Sequence, residues 1–446
     1  MSESVQHPDK NGVGEHPSQE TQPSGTVTRY QSLALLGSSL LAAVSTLVVT
    51  MIAQRALNGS ELTEFLLFWA ALFTVTGIIT GIQPEITRAV GTARTQTVSA
   101  DGSAPQGARV VTVTAALGAI AGALVLVSSP LWAGQQIPHS AAVGVTVMAV
   151  GVFLYALQAT MSGVTAGEDR WYLFAAVGGL ESAGRLILML AAALMIPSLA
   201  GLEVATVAPM GLWLILALVT VSGRRLWIAR ADVPARRLTT NILWSFLSSA
   251  AAAVLMMGFP NVLKASGAAE SEPVVLGTLI LAISITRSPI MIPLQAFQGV
   301  AVSAFLKQRH RPVAAFIKPA AAVVAVGAVG ALAAYLVGPL LFRLIYPPAA
   351  GAESAYEAAA SGITLGALVF ASALLALMTL SGNMALAVNQ HRIYLAGWVV
   401  AAAVTLSLAF LIPAPLVPRA IVALAVGPVC GFVVHMLGVS VIATKG

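Results

Sequence analysis

Apolar runs long enough to cross a bilayer as helices, about 20 residues each, recur from Leu33 almost to the end of the chain. They predict spans over residues 32–56, 61–82, 109–132, 141–164, 171–196 and 204–222, then 242–258, 274–306, 313–338, 362–388, 393–412 and 419–442. Turn-prone or charged breaks separate them, such as Asn58-Gly59-Ser60 and Gly167-Glu168-Asp169-Arg170. The eighth run is interrupted by Arg287-Ser288-Pro289 and Pro293. A proline removes a backbone donor there, so neighbours or water must satisfy the freed carbonyls.

Two polar stretches divide the pattern. Residues 1–28 are rich in Ser, Pro, Gly, Gln and Glu, lack the apolar core of a signal peptide, and read as a disordered tail. Residues 223–240 hold Arg224, Arg225, Arg230, Arg236 and Arg237 around Pro234, and read as a basic linker. The halves on either side, 29–222 and 241–446, repeat a motif. Arg170-Trp171-Tyr172-Leu173 opens the fifth span, and Arg392-Ile393-Tyr394-Leu395 opens the eleventh. Each follows a helix that ends in a Leu…Ser-Gly run, Leu157–Gly163 and Leu377–Gly382. Equivalent spans then share an orientation, as in parallel repeats around a central cavity. The fold class is an all-α polytopic membrane protein, about twelve transmembrane helices in two parallel six-helix halves.

Loop charge sets the orientation. With the N-terminus inside, the inner segments collect Lys10, Arg29, Arg88, Arg94, Arg109, Arg170, the linker arginines, Lys307, Arg309, Arg311, Lys318, Arg392 and Lys445. The outer ends hold Arg55, Lys264, Arg343 and Arg419. This positive-inside bias predicts that both termini are cytoplasmic.

Composition agrees. The 446 residues are 58% hydrophobic and 9% charged, with a mean hydropathy of +0.88, whereas soluble domains carry about 25% charged residues. The net charge of +6 lies in short loops, so no nucleic-acid partner is expected. A lone cysteine, Cys430, excludes a disulfide framework. Arginine in excess of lysine, with abundant Ala, Val and Gly, hints at a GC-rich bacterial source, hence a bacterial cytoplasmic membrane.

Enzyme chemistry finds little support. The histidines, His7, His16, His139, His310, His391 and His435, are scattered, and no metal-ligand spacing appears. There is no Walker loop and no Gly-x-Ser-x-Gly elbow. The expectation is a non-enzyme with no cofactor. The acids Glu61 and Glu64, and Glu270 and Glu272, stand at span starts, where the helix dipole favours them.

What remains is a set of charges inside the spans. Glu181 and Arg185, four residues apart, share one helix face with the acid N-terminal. Ionisable groups at that depth face a bundle interior or a wet cavity. The pair is either an internal lock between helices or part of a polar path for charged cargo. Arg287 has no acid near it in sequence. Arg55 closes the first span and is either a snorkelling interfacial residue or a cavity residue. Arginines suit phosphate, which they grip in bidentate fashion.

Three segments carry a family resemblance. They are Ala53-Gln54-Arg55-Ala56-Leu57-Asn58-Gly59, Gly81-Ile82-Gln83-Pro84-Glu85-Ile86-Thr87-Arg88 and Gly338-Pro339-Leu340-Leu341-Phe342-Arg343-Leu344-Ile345-Tyr346. They resemble the endings of spans one, two and nine in the multidrug/oligosaccharidyl-lipid/polysaccharide (MOP) exporter superfamily, in its polysaccharide and lipid-linked oligosaccharide flippase branch. Pro347 replaces the usual glycine, and Asn58-Gly59-Ser60-Glu61 lacks the common Gly-Pro-Glu.

The resemblance implies a flippase for a sugar or oligosaccharide on polyprenyl phosphate or pyrophosphate, serving cell-wall or surface polysaccharide synthesis. It implies cavity arginines in spans one, two and eight, here Arg55, Arg88 and Arg287, with Arg88 toward the cytoplasmic mouth. Membrane lipids and glycan synthases would be its partners. Two other readings stay open: a drug or cation antiporter of the same superfamily, and a non-transporting scaffold of a polysaccharide synthase complex.

Overall fold

The computed structural model describes residues 28–99, 107–267, 273–296, 305, 311–348, 353–388 and 390–443. Of the features expected above, the tail up to residue 27, Lys10, Glu270, Glu272, Lys307, Arg309, Lys445, His7, His16 and His310 lie outside the described residues.

Twelve helices are long and apolar enough to span a membrane. They are α1 Tyr30–Ala56, α2 Gly59–Thr95, α3 Val110–Leu131, α4 Ala141–Gly167, α5 Trp171–Met195 and α6 Leu199–Val219. The second six are α7 Ala235–Ala265, α8 Val274–Met291, α9 Pro312–Ile345, α10 Gly362–Ala387, α11 His391–Leu411 and α12 Leu416–Val441. Residues 297–304 and 306 of the eighth expected span lie outside the described residues, α6 starts five residues early at Leu199, and three helices run furthest past the hydropathy expectation. α2 runs on past a turn at Thr80-Gly81, through the polar stretch that includes Glu85 and Arg88. α7 starts at Ala235, inside the arginine-rich stretch. α9 continues through Pro339 to Ile345.

Local chemistry sets many helix starts. Thr28 and Gln31 form a capping box on α1, and Asn58 and Glu61 form one on α2. Ser198 and Ser361 accept from backbone N–H groups at the starts of α6 and α10. Glycine matters where backbones touch. A Cβ on Gly81 would lie 2.8 Å from the Ser245 backbone, so this residue lets the turn in α2 press onto α7.

Burial sorts the helices. In α8 and α10, 61% of the apolar window is buried, against 6% in α9, whose Leu336, Leu340 and Leu344 point outward as lipid-facing side chains do. One apolar cluster joins both halves at the side opposite the N-terminus, here called the far side. It includes Val49, Phe65, Leu199, Phe259, Leu279, Phe342, Leu365 and Leu424. Toward the N-terminal side the clusters separate. One belongs to the first six helices, with Leu238 and Ile242 of α7 added, and the others to the second six. Along α1 on that side, Leu33 and Leu40 are 62% and 61% exposed. The halves therefore meet at the far side and along the α2–α7 seam, and part along α1.

The arginine-rich stretch is not a free tether. Ala108 and Val110 donate to the carbonyls of Val233 and Ala229, and Ala231 donates to that of Ala108. A Cβ on Gly107 would collide with the Ala231 carbonyl, so only glycine permits this docking.

Candidate functional site

Each half holds one arginine of the set within its helices, Arg185 buried and Arg287 half-buried, in different surroundings. Arg185 of α5 donates to Glu181 one turn earlier and, through Nε, to the Thr206 carbonyl at 3.4 Å. Gln158 of α4 donates to the other Glu181 oxygen. The guanidinium lies over the rings of Trp69 and Phe73, 5.9 and 5.3 Å from their centroids, within cation–π reach. The side chains of Arg185 and Glu181 are only 6% and 13% exposed. Every charge here has a partner, and the pair ties α5 to α2, α4 and α6.

Arg287 of α8 has no such acid. Among the described residues it forms no ion pair, and its Nε is buried without a hydrogen-bond partner. Its Nη1 donates to the carbonyl of Met256 in α7. That carbonyl is free for a reason visible in the chain. Its α-helical donor would be the N–H of residue 260, which is proline. A π turn over Val254–Gly258 accompanies the defect, as such turns often do at functional sites. Beside Arg287 lies a cavity of about 10 Å³ lined by Leu255, Thr286, Leu368, Ser372, Leu375 and Leu424. That is room for about one water, so a headgroup reaches Arg287 only if the seam between α7, α8 and α10 opens.

The other two expected site arginines are apart from these. Arg55 is exposed and donates to the Met51 carbonyl of its own helix at 3.1 Å. Arg88 pairs with Glu85 at 2.7 Å and with Asp232 of the arginine-rich stretch at 2.9 Å. Asn241 of α7 also donates to Glu85, at 2.8 Å, so this network pins α2 to both segments. The structure thus does not gather the five residues Glu181, Arg185, Arg287, Arg55 and Arg88 into one cluster.

The far side is closed by contacts between the halves. The Thr50 hydroxyl of α1 meets that of Tyr346 at 2.7 Å, and Gln54 donates to the Pro347 carbonyl. Gln136, in the α3–α4 connection, and Asn261 of α7 exchange bonds of 3.2 and 3.3 Å. Burial pushes the Tyr346 hydroxyl upward in pKa, against the pull of its Thr50 hydrogen bond. Tyr356 nearby is pushed up to about 12 by burial. Both stay neutral, so the gate is a set of uncharged hydrogen bonds. Thr50, Tyr346, Met256 and Asn241 were not singled out from sequence. Only Pro260 carried a signal, as a proline whose freed carbonyl needed a donor.

No family model matches the chain. It is 32% identical over 415 residues to the uncharacterized protein Rv1510 of Mycobacterium tuberculosis, covering 93% of this chain and 92% of that one. It is 34% identical over 424 residues to the uncharacterized protein Rv3630 of the same organism, covering 94% of each. The chain belongs to the family of these mycobacterial proteins. Among solved structures, it resembles an inward-facing MATE family transporter of the MOP superfamily, with a TM-score of 0.69, 14% identity, and 93% and 99% of the two chains covered. It resembles the lipid II flippase MurJ in an inward closed conformation at 0.67, with 9% identity and 93% and 88% covered. Against an outward-facing MATE transporter the score is 0.61, with 14% identity and 93% and 97% covered. The fold is therefore that of the MATE and MOP transporters, and it fits an inward-facing relative better than an outward-facing one, as its closed far side requires.

Proposed function

We propose that this protein is a flippase for a sugar or oligosaccharide linked to polyprenyl phosphate or pyrophosphate. It works in a bacterial cytoplasmic membrane with both termini cytoplasmic. The observation that carries this reading is Arg287, half-buried with its Nε fully buried and unpartnered, with no carboxylate beside it among the described residues and a single backbone carbonyl as acceptor. Its positive charge is uncompensated, which is costly in a low-dielectric seam. An anionic phosphate entering that seam would supply the missing charge. The likeness to a lipid II flippase supports the same cargo class. The polyprenyl tail would stay in the bilayer while the halves rock about the α2–α7 seam.

A MATE-like antiporter of cations would want an uncompensated acid instead. Glu181, in the middle of α5, is committed to Arg185 and Gln158, and Glu203, a buried first-half acid without a cation partner, lies at the far-side start of α6. The test is depletion of the gene, rescued with wild type or with Arg287→Met at matched expression. The expected result is lipid-linked sugar phosphate accumulating in the inner leaflet on depletion and with Arg287→Met. Normal leaflet distribution in both would refute the proposal.

A further inference from the structure

A second charged group lies on the far side of the first half, away from the arginines. Four side chains form a line there. His139 precedes α4 and is exposed, with 69% of its side chain accessible. Its Nδ1 meets Glu64 Oε2 of α2 at 2.7 Å. Glu64 is buried, and its Oε1 accepts from the backbone N–H groups of His139 and Ser140, both at 2.8 Å. The Ser140 hydroxyl lies 3.1 Å from that oxygen and 2.6 Å from Glu203 Oε1 of α6. Glu203 is fully buried, and its Oε2 has no partner.

Counting hydrogens decides how this line is wired. Ser140 has one hydroxyl hydrogen and two carboxylate neighbours, so it donates to one of them only. Glu64 already receives two backbone donors and the imidazole, as an ionised carboxylate prefers. Among the described residues, Glu203 has no donor besides Ser140. Two ionised carboxylates sharing one hydroxyl, one of them with a bare buried oxygen, would repel and stay unsatisfied. A hydrogen on Glu203 Oε1 closes the count: Glu203 donates to Ser140, and Ser140 donates to Glu64. The 2.6 Å separation is that of an O–H···O bond.

From α5, Arg185 reaches the Thr206 carbonyl one turn along from Glu203 but is paired with Glu181. From α2 the group facing Glu203 is Glu64, and from the turn before α4 they are Ser140 and, beyond Glu64, His139. The turn that holds His139 and Ser140 follows directly on Gln136, whose bonds to Asn261 cross between the halves.

We propose that Glu203, Ser140, Glu64 and His139 form a proton relay that opens on the far face and ends at a buried proton-binding carboxyl. In the exchange, Glu203 gives its proton to Ser140 Oγ as Ser140 gives its own to Glu64 Oε1. Glu203 becomes a carboxylate and Glu64 a carboxyl. The solvent-exposed imidazole exchanges to its Nε2–H form, the Glu64 carboxyl turns to present its hydrogen to His139, and Nδ1 takes that proton as the Nε2 hydrogen leaves to solvent, for a net release of one proton. Loss of that proton leaves two like charges across α2 and α6, beside the connection that closes the far side. Deprotonation therefore favours far-side opening, and protonation favours closure. The relay rests on the transporter reading only for its link to gating; proton binding stands without it.

The test uses the full chain in lipid nanodiscs, with no cargo. Infrared spectra of wild type at neutral pH should contain the carbonyl stretch of an un-ionised carboxyl that shifts in deuterium oxide. Glu203→Gln should lose the band and Glu64→Gln should keep it. Should Glu203→Gln fail to fold, Ser140→Ala keeps both acids and should retain the band but slow its deuterium exchange at least tenfold. Absence of the band in wild type, its survival in Glu203→Gln, or unaltered exchange in Ser140→Ala would overturn the relay. For gating, Cys430→Ser carrying spin labels at Gly134→Cys and Glu357→Cys, both exposed far-side positions, should show the longer distance gaining population as pH rises. Glu203→Gln should remove that pH dependence. A pH-invariant distance in wild type would overturn the gating link. None of these measurements needs the cargo, so a relay without flipping refutes the proposed function alone.

Discussion

Arg185 and Arg287 are the same residue type inside the same kind of helix bundle, yet their surroundings give them opposite characters. Arg185 has Glu181 one turn away, a carbonyl at Thr206 and two aromatic faces, and Gln158 completes the acid. Arg287 has one carbonyl and an idle Nε. A buried ion pair with its hydrogen bonds complete is a structural part, because either charge alone would be stranded. A buried cation without an anion costs stability, and such a cost is sustained where a ligand is to supply the anion. Under the proposed function, Arg185 holds helices together and Arg287 is the arginine that meets the cargo.

The sharpest way to break this comparison is to strand Arg185. Glu181→Gln should destabilise the purified protein by about 3–5 kcal/mol, read as a lowered thermal midpoint in detergent. Glu181→Met with Arg185→Met should recover most of that loss. If the double variant is as unstable as the single one, the pair does more than lock helices.

Next, Arg287→Met should leave the thermal midpoint unchanged or raised, while cargo movement falls by about 10- to 150-fold. That range corresponds to one charged hydrogen-bond contact of about 1.5–3 kcal/mol. Ser372→Asp sharpens the point. Ser372 lines the same cavity, and a carboxylate there should pair with Arg287, raise stability, and block transport as fully as Arg287→Met does.

Smaller effects belong to the gate and the rim. Tyr346→Phe removes one uncharged hydrogen bond, worth about 1 kcal/mol. It should shift the open fraction of the far side roughly fivefold, read in a Cys430→Ser background by the reactivity of a cysteine placed at the buried far-side residue Ala53. Arg55→Gln should change stability by less than about 0.5 kcal/mol, since surface substitutions away from special features rarely do more. A transport loss with Arg55→Gln matching that of Arg287→Met would instead put Arg55 in the cargo path.

The spans were legible because a bilayer imposes a length on every crossing helix. Boundaries were less so. The turn at Thr80-Gly81 did not end α2, and arginines did not stop α7 from starting at Ala235, because neighbours satisfy what the local sequence leaves open. The Glu181–Arg185 contact was readable from helical spacing. The partners of Arg88 were only half so: Glu85 lies one turn away, but Asp232 comes from the arginine-rich stretch between the halves. Glu203 falls one residue before the sixth expected span, 204–222, and only the earlier start of α6 at Leu199 puts this acid inside a crossing helix, where it is itself a signal.

By itself the sequence determined the membrane, the number of crossings, the local caps and the i,i+4 ion pair, because hydrophobic length and helical periodicity act over short distances. Only the tertiary structure decided which charges are matched. Whether an arginine is a lock or a ligand depends on groups brought from distant helices: the carbonyl freed by Pro260 for Arg287, Gln158 for Glu181, and Ser140 between Glu64 and Glu203. In a low-dielectric interior the energy of a charge is set by its immediate neighbours, and packing, not chain order, chooses those neighbours.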